Sequence, residues 1–237
     1  MTRRRYALLS PLGIQPNVHD LARSALDEAI SRVEASGRPV TTLDAGCGHK
    51  SDLRSFRPRL AHVTGADIHA PVTPLPYLDT FVLADVCADA DTFAPGSFEI
   101  ILSSFAMEHF ADPAAAMRNL HRWLTPGGSL VATTVNRRHP WVRAYLSLPD
   151  ALRRRLQPLV KASAADAHPL VGTCNDPQTI RRTLAEAGFT DIHLRTVGYL
   201  ARAWGRHLPT FALGLVGDVL AQPFPSRRST IVIVARA

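Results

Sequence analysis

Short apolar runs alternate along the chain with stretches in which apolar residues recur at helical spacing. Seven runs predict strands, at residues 40–43, 61–66, 81–84, 98–103, 130–135, 192–197 and 231–234. Helices are predicted at 21–33, with Asn17 or Asp20 as the cap at its start, at 112–124 after the start signal Asp112-Pro113, and at 176–188. Strands alternating with helices are typical of an α/β fold, in which a mostly parallel sheet carries helices on both faces.

Polar residues stand where four of the predicted strands end. They are Asp44, Asp67, Asp85 and Ser104. Ligands of doubly wound sheets bind at the carboxyl ends of the strands, near the point where the strand order reverses. The sequence therefore predicts a binding site at this edge of the sheet.

A glycine-containing turn, Gly46-Cys47-Gly48, follows the first strand. Glycine lacks a Cβ, so the backbone of such a turn can approach a ligand closely. The dinucleotide fingerprint requires a third glycine where this chain has Ser51, which argues against a bound diphosphate. Asp67 suits the hydroxyls of a ribose, and Asp85 suits the amine of an adenine. Together they indicate a ribose-bearing ligand without a diphosphate.

Five segments carry a resemblance to a known family. They are Leu43-Asp44-Ala45-Gly46-Cys47-Gly48, Gly65-Ala66-Asp67, Asp85-Val86, Glu108-His109-Phe110-Ala111-Asp112-Pro113 and Leu124-Thr125-Pro126-Gly127-Gly128. In this order the chain resembles the class I S-adenosylmethionine-dependent methyltransferases, in the small-molecule branch that includes the ubiquinone-biosynthesis O-methyltransferases. The resemblance is good over residues 17–135. The family usually has a small residue after the turn, where this chain has His49-Lys50.

The resemblance implies a Rossmann-like, doubly wound, seven-stranded and mostly parallel sheet whose last strand is antiparallel. It implies one domain over residues 1–237, in which residues 137–175 are a cap-like insertion over the acceptor site. It also implies S-adenosyl-L-methionine as the cofactor and a small molecule as the methyl acceptor.

The same resemblance implies roles for the strand-end residues. The implied cofactor-binding residues are Asp44, Gly46, Cys47, Gly48, Asp67, Ile68, Asp85, Val86 and Ser104. The glycine turn and the backbone of Ser104 would line the methionine part, Asp44 would orient water or the cofactor's amine, and Asp67 would bind the ribose. Ile68 would pack on the adenine, Asp85 would bind its amine and Val86 would meet its edge. Alternatively, Ile68 and Val86 are core residues and Asp44 caps the loop.

A hydroxyl acceptor must lose its proton during methyl transfer, which calls for a general base. His109 follows the fourth strand and is the candidate catalytic residue, because imidazole is the side chain suited to proton transfer near neutral pH. The Glu-His pair is often structural in the resembling family, so a packing role stays open. His139 and His168 are alternatives within the insertion. No His, Asp or Glu residues show metal-ligand spacing, so no metal is expected.

Two apolar segments could line an acceptor pocket. Trp141, Tyr145, Leu148 and Leu152 are at helical spacing, although Pro149 would kink or end such a helix. They either wall the acceptor pocket or cover the domain's own core. Residues 211–220 either pack in the core, line an apolar pocket or touch a membrane surface.

Composition and charge limit the remaining function classes. Of the 237 residues 46% are hydrophobic, enough for a buried core, and the net charge is +7. A basic balance suits nucleic acid, but the Asn/Asp-Pro-Pro-Tyr/Phe motif of amino-methylating nucleic-acid enzymes is missing. No specific nucleic acid is therefore expected, and an RNA methyltransferase is the alternative. A protein that binds the cofactor without catalysis is another.

The expected location is the cytoplasm. Cys47, Cys87 and Cys174 are too widely spaced for a disulfide framework or a zinc site, which favours free thiols in a reducing compartment. No apolar run is long enough to span a membrane, and Arg3, Arg4 and Arg5 are followed by no signal-peptide core. Neither a transmembrane segment nor a signal peptide is expected.

Overall fold

The computed structural model describes Ile14 and residues 17–160 and 174–237, with only the backbone described for residues 157–160. The strands are β1 Thr41–Ala45, β2 His62–Asp67, β3 Thr80–Leu83, β4 Phe98–Ser104, β5 Leu124–Val135, β6 Thr190–Val197 and β7 Thr230–Arg236. The helices are α1 Val18–Ala35, α2 Pro113–Trp123, α3 Pro140–Leu146, α4 Asp150–Val160, α5 Pro177–Glu186, α6 Leu200–Ala203 and α7 Leu208–Ala221. Short 3₁₀ segments occupy Asp52–Arg59, Met107–His109 and Pro225–Arg227.

The seven strands form one sheet in the order β3-β2-β1-β4-β5-β7-β6. The first five strands pair in parallel, whereas β7 runs antiparallel to both of its neighbours. This confirms the predicted doubly wound sheet with an antiparallel last strand. The order reverses between β1 and β4, so the loops that follow these two strands leave in opposite directions and open a crevice.

Alternate residues of each strand face opposite sides of the sheet, and each side has its own core. Ile100 packs into the cluster that includes Leu26 and Ile30 of α1. Its neighbour Ile101 packs into the cluster that includes Leu120 and Trp123 of α2. The central strand β4 is therefore covered on both faces, as expected for a parallel strand rich in Ile and Leu.

The predicted helix starts are confirmed by capping side chains. The amide of His19 donates to Asn17 Oδ1 at 3.4 Å, which selects Asn17 over Asp20 as the N-cap of α1. Asp112 accepts from the amide of Ala115 at 2.9 Å at the start of α2. Each cap satisfies a backbone donor that the first helical turn leaves unpaired.

The predicted start of the fifth strand is wrong, because β5 begins at Leu124 rather than at residue 130. Leu124 pairs with Phe98, and the register then shifts before Ile100 pairs with Ser129. The amide of Gly127 donates to the carbonyl of Ala237 at 2.9 Å. Partners on both sides therefore hold the Pro-Gly-Gly segment in the sheet, with a φ of +77° at Gly127, where the local sequence predicts only a turn.

The insertion splits into two helices at Pro149, as its position predicts. Trp141 of α3 packs directly against Gly217 of α7, where any Cβ would overlap the indole. One face of α7 is buried, and the opposite face exposes Leu213, Val216 and Leu220, so core packing accounts for only half of the predicted apolar segment. Residues 161–173 of the insertion lie outside the described part.

No helix within the described residues combines the length and the apolar character needed to cross a bilayer.

Candidate cofactor-binding site

The four strand-end residues lie along one edge of the sheet. Asp44 is the next-to-last residue of β1, whereas Asp67 and Ser104 end β2 and β4. Asp85 comes two residues after Leu83, the end of β3. Because β3, β2, β1 and β4 are parallel neighbours, this edge borders the crevice at the reversal of strand order.

The two glycines of the turn serve different purposes. Gly46 has a φ of +74° and lies so close to Ala106 that a Cβ would overlap the Ala106 Cβ. Gly48 has a φ of +48°, and a Cβ there would meet no atom within 4 Å. Gly46 thus lets the β1 loop touch the β4 loop, while Gly48 presents bare backbone to open space.

The carboxylate of Asp67 is oriented by two backbone amides. Gly48 donates to Oδ2 and His69 donates to Oδ1, each at 3.0 Å. A carboxylate offers about four lone-pair positions, so both oxygens keep capacity for further donors such as ribose hydroxyls. The next side chain, Ile68, is 54% exposed, which excludes the core alternative for this residue and leaves an apolar surface beside the carboxylate.

Asp44 is buried beneath the turn. Its Oδ2 accepts from the hydroxyl of Tyr77 at 2.8 Å, and Ser51 also hydrogen-bonds the carboxylate. Burial raises the pKa of Asp44 to about 6, against the lowering effect of these two partners. The carboxylate therefore braces the loop, and its predicted contact with the cofactor's amine stays a prediction.

Cys47 is a packing residue in the turn. Its side chain is buried, and burial followed by the charge of Asp44 raises the pKa of the thiol to about 12. Its amide donates to the carbonyl of Ala66 at 3.3 Å, alongside that of Gly46 at 2.8 Å. These two bonds tie the turn to the end of β2.

Asp85 and Val86 differ in exposure. Asp85 is half-buried, and its Oδ1 accepts from the amide of Cys87 at 2.8 Å, which fixes the carboxylate at the edge. The side chain of Val86 is buried in the α2 core, and its carbonyl accepts from the Asn119 side chain at 2.8 Å. Val86 thus packs as the core alternative predicts, and a contact with an adenine edge would have to come from its backbone.

Ser104 stands where β4 turns away from the sheet. Its hydroxyl hydrogen-bonds that of Thr133 at 3.1 Å, and the amide of Phe105 donates to the carbonyl of Thr133 at 2.9 Å. Phe105 has a φ of +53°, a conformation that non-glycine residues seldom adopt. The bend directs its ring toward Tyr199, with ring centroids 5.7 Å apart.

The candidate base His109 ends the 3₁₀ segment after β4, and its amide donates to the carbonyl of Ala106 at 2.9 Å. The preceding Glu108 is buried and accepts from the hydroxyl of Thr134 at 2.8 Å, which is a structural role. His139 is the N-cap residue of α3 and packs beside Gly217 of α7, where burial lowers its pKa. His168 lies outside the described residues.

Sequence reasoning missed several side chains around the turn. Ser51, noted only as an absent glycine, caps the 3₁₀ segment, and Tyr77 bonds Asp44. His19, Asp52 and Tyr199 form a hydrogen-bonded chain beside Phe105. Tyr199 follows the end of β6, so the strand-end signal applied to the sixth strand would have found it. Across the described ranges, no three His, Cys, Asp or Glu side chains come together as metal ligands.

Comparisons with known proteins point to one family. A family model described as a methyltransferase domain matches residues 18–194. A ubiquinone biosynthesis O-methyltransferase of Pseudomonas paraeruginosa is 34% identical over 136 residues, covering 54% of this chain and 56% of that protein. A malonyl-[acyl-carrier protein] O-methyltransferase of Pseudescherichia vulneris is 31% identical over 117 residues, covering 48% of this chain and 46% of that protein.

A solved structure shares the fold. The phosphoethanolamine N-methyltransferase 2 of Haemonchus contortus, in complex with S-adenosyl-L-methionine, aligns with a TM-score of 0.55 and 16% identity. The alignment covers 84% of this chain and 48% of that one. The chain spans only about half the length of the curated relatives it matches.

Gly46→Ala tests the contact between the two central loops. Gly37 has nearly the same φ, +73°, and a Cβ placed there would meet no atom within 4 Å, so Gly37→Ala is the matched control. We expect the control to lose about 1–2 kcal/mol of unfolding free energy from the positive φ alone. Gly46→Ala should lose a further ~1–3 kcal/mol from overpacking, measured by urea denaturation.

The double variant Gly46→Ala/Ala106→Gly should recover most of that further loss, because it removes the atom that the new Cβ meets. Equal losses for Gly46→Ala and Gly37→Ala would show that the close contact does not matter.

Asp44→Asn tests the buried carboxylate through pH. A raised carboxyl pKa means that the folded state binds the proton more tightly than the unfolded state, so stability is lost as pH rises from the ordinary value of 3.8 to about 6. Asp44 accounts for on the order of 2–3 kcal/mol of that loss. The variant's unfolding free energy relative to wild type should therefore rise over this range and stay level above it.

The control is Asp91→Asn, at an exposed carboxylate paired with Arg122. Urea denaturation at several pH values gives the comparison. A difference between Asp44→Asn and wild type that does not change between pH 4 and pH 7 would mean that Asp44 has the same proton affinity in both states.

Proposed function

Because this chain belongs to the methyltransferase-domain family, whose model matches residues 18–194, we propose that it transfers a methyl group from S-adenosyl-L-methionine to a small molecule, at oxygen. The observation that carries the cofactor assignment is the carboxylate of Asp67, held by two amides beside the bare backbone of Gly48 and the exposed side chain of Ile68. Asp67 would bind the ribose of the cofactor, Gly48 would border its methionine chain, and Ile68 would pack on its adenine.

The described residues offer polar and apolar groups that suit this cofactor. Asp67 would accept from the ribose hydroxyls, Ile68 would pack on the adenine, and the half-buried Asp85 would accept from its amine. Gly46, Gly48 and the backbone of Ser104 would border the methionine part. When bound, S-adenosyl-L-methionine supplies a methyl group on a positively charged sulfur, from which an acceptor oxygen takes it.

Two observations support the proposed acceptor and its place in the structure: the names of the relatives, and the position of the insertion after β5. Both curated relatives bear the name of O-methyltransferases and each matches about half of this chain. Residues 137–175 are proposed as the cap over the acceptor, since α3 begins soon after β5 ends at this edge. The contact between Trp141 and Gly217 fixes α3 against α7, so the cap would rest on α7.

His109 stays a prediction as the catalytic base. In its favour, it follows β4, and its 3₁₀ segment comes directly after Ala106, the residue that lies against Gly46. Alignment of the acceptor with the methyl group is the larger contribution to an in-line transfer, and a base adds about 10²–10⁴-fold. The loss of a base at His109 would therefore slow the transfer without abolishing it.

Asp67→Ala should weaken binding of S-adenosylhomocysteine by about 1–3 kcal/mol, because the ribose hydroxyls lose a charged acceptor. Isothermal titration calorimetry measures the affinity, and Asp91→Ala, at an exposed carboxylate paired with Arg122 near the end of α2, is the control. Equal affinities of wild type and Asp67→Ala would show that the ribose assignment is wrong.

Transfer to oxygen is tested with dopamine, which offers ring hydroxyls and an amine in one molecule, and with catechol. Wild-type protein and trideuteromethyl-labelled S-adenosyl-L-methionine should give labelled methyl ethers of both, identified by tandem mass spectrometry. Label on the dopamine amine alone, or on neither compound, would contradict a hydroxyl acceptor while leaving the cofactor assignment to the calorimetry.

A further inference from the structure

A hydrogen-bonded chain of three side chains joins distant parts of the sequence at the candidate site. Nδ1 of His19, in the first turn of α1, lies 2.8 Å from Oδ2 of Asp52, at the start of the 3₁₀ segment after the glycine turn. Nε2 of the same ring lies 3.0 Å from the hydroxyl of Tyr199, which follows β6. Both distances are those of well-formed hydrogen bonds.

Both hydrogen bonds donate in the same direction, from Tyr199 through His19 to Asp52. An ionised carboxylate only accepts, so Nδ1 of His19 carries the proton and donates it to Asp52. In the neutral imidazole the other nitrogen is then an acceptor, which makes the hydroxyl of Tyr199 the donor to Nε2. The phenol oxygen can in turn accept a proton as it gives its own away.

Other charged side chains lie near Asp52, at one end of the hydrogen-bonded chain. Asp52 is 8% exposed, and Nη1 of Arg23 lies 3.3 Å from its Oδ1. Nη2 of Arg23 is paired with Asp20 at 2.6 Å. Asp44 of β1 interacts electrostatically with Asp52 through the loop. The imidazole itself is partly open, with 34% of its side chain exposed.

The three hydrogen-bonded side chains lie beside the loop that follows β4, next to the crevice in which the proposed transfer would take place. Asp52 follows Ser51 on the side of the glycine turn, and Tyr199 follows β6 on the far side of the sheet. Between them lies Phe105, next to Ser104, with its ring 5.7 Å from that of Tyr199 and 6.2 Å from that of His19. The three side chains thus lie across the end of β4.

The backbone of Tyr199 is held by hydrogen bonds to a buried pair, Ser229 and Asp218. Its amide donates to the hydroxyl oxygen of Ser229 at 2.8 Å, and that hydroxyl donates to buried Asp218 at 2.8 Å. Asp218 also accepts from the amide of Ala201 at 2.9 Å, and burial raises its pKa to about 6. A packing role for Tyr199 would account for the contact of its ring with Phe105, but it would not require the hydrogen bond of its hydroxyl to His19.

We propose that Asp52, His19 and Tyr199 form a proton relay that activates the acceptor hydroxyl, with Tyr199 as the catalytic residue and with His19 and Asp52 acting through it. The inference rests on the proposed transfer to oxygen. It assigns the role of base to the far side of β4 instead of to His109.

The proton and electron count closes within the named groups. The acceptor hydroxyl gives its proton to the Tyr199 oxygen as Tyr199 gives its own to Nε2 of His19. The electron pair released on the acceptor oxygen forms the new C–O bond to the methyl carbon, while the S–C bond breaks and its pair stays on sulfur. The imidazolium is stabilised by Asp52, as in a Ser-His-Asp triad, and later loses its proton to water.

Three variants with catechol as acceptor test the relay, and each keeps the local shape. Tyr199→Phe keeps the ring that stacks on Phe105 and removes the hydroxyl. His19→Gln removes the imidazole, and Asp52→Asn favours the opposite tautomer of His19. We expect kcat to fall about 10²–10⁴-fold in each, while the affinity for S-adenosylhomocysteine stays at the wild-type value. His193→Gln, at an exposed histidine on β6, is the control that keeps full activity.

The pH profile separates the relay from the other titrating groups. Wild-type kcat should fall at low pH, and His19→Gln should lose this dependence although it keeps Asp44, Asp218 and His109. His109→Gln should retain the fall. If His109→Gln loses the fall instead, or if Tyr199→Phe keeps wild-type kcat on catechol, the relay is wrong and His109 or orientation alone accounts for the rate.

Nitrogen NMR of the labelled imidazoles gives a readout without turnover. The spectrum of the ligand-free protein should show His19 protonated at Nδ1, and Asp52→Asn should shift that proton toward Nε2. A His19 protonated at Nε2 in the wild type would overturn the relay even when catechol is methylated. Absence of any hydroxyl methylation, with the predicted tautomer present, would refute the transfer to oxygen and with it the proposed use of the relay.

Discussion

The contact between Gly46 and Ala106 sets the spacing of the two loops that leave the centre of the sheet. β1 and β4 are neighbours at which the strand order reverses, so their loops diverge and leave a crevice. At Gly46 the loops touch backbone to side chain, with no room for a Cβ. Gly48 can then face the crevice, and Asp67 can reach its amide. The candidate site therefore follows from one close approach.

A carboxylate, that of Asp44, is buried beneath the glycine turn, although burial disfavours its charge. Asp44 is placed out of water, and its raised pKa measures how strongly burial opposes its charge. Tyr77 and Ser51 offset part of that opposition by donating to the carboxylate. Asp218 repeats the arrangement under Tyr199, again with a raised pKa and donors from backbone and hydroxyl. Buried, hydrogen-bonded carboxylates thus fix both ends of the candidate site.

Features set by local sequence could be predicted, whereas features set by distant partners could not. The strands, the caps at Asn17 and Asp112, and the edge that gathers Asp67 and Asp85 follow from periodicity and start signals. The early start of β5 depends on Phe98 and on Ala237, both distant in sequence, which no local pattern encodes. Likewise, only packing distinguishes the buried Val86 from the exposed Ile68.

For the same reason, the sequence predicts a base at His109, after β4, and not at His19. His109 stands within a family-like segment, whereas His19 stands in an ordinary helical turn, and its partners are separated from it by 33 and 180 positions in the chain. Such partners meet only because α1, the glycine turn and the end of β6 converge over β4. The proposed proton pathway therefore depends on the strand order more than on any motif, since the order of the strands decides which loops meet over the end of β4.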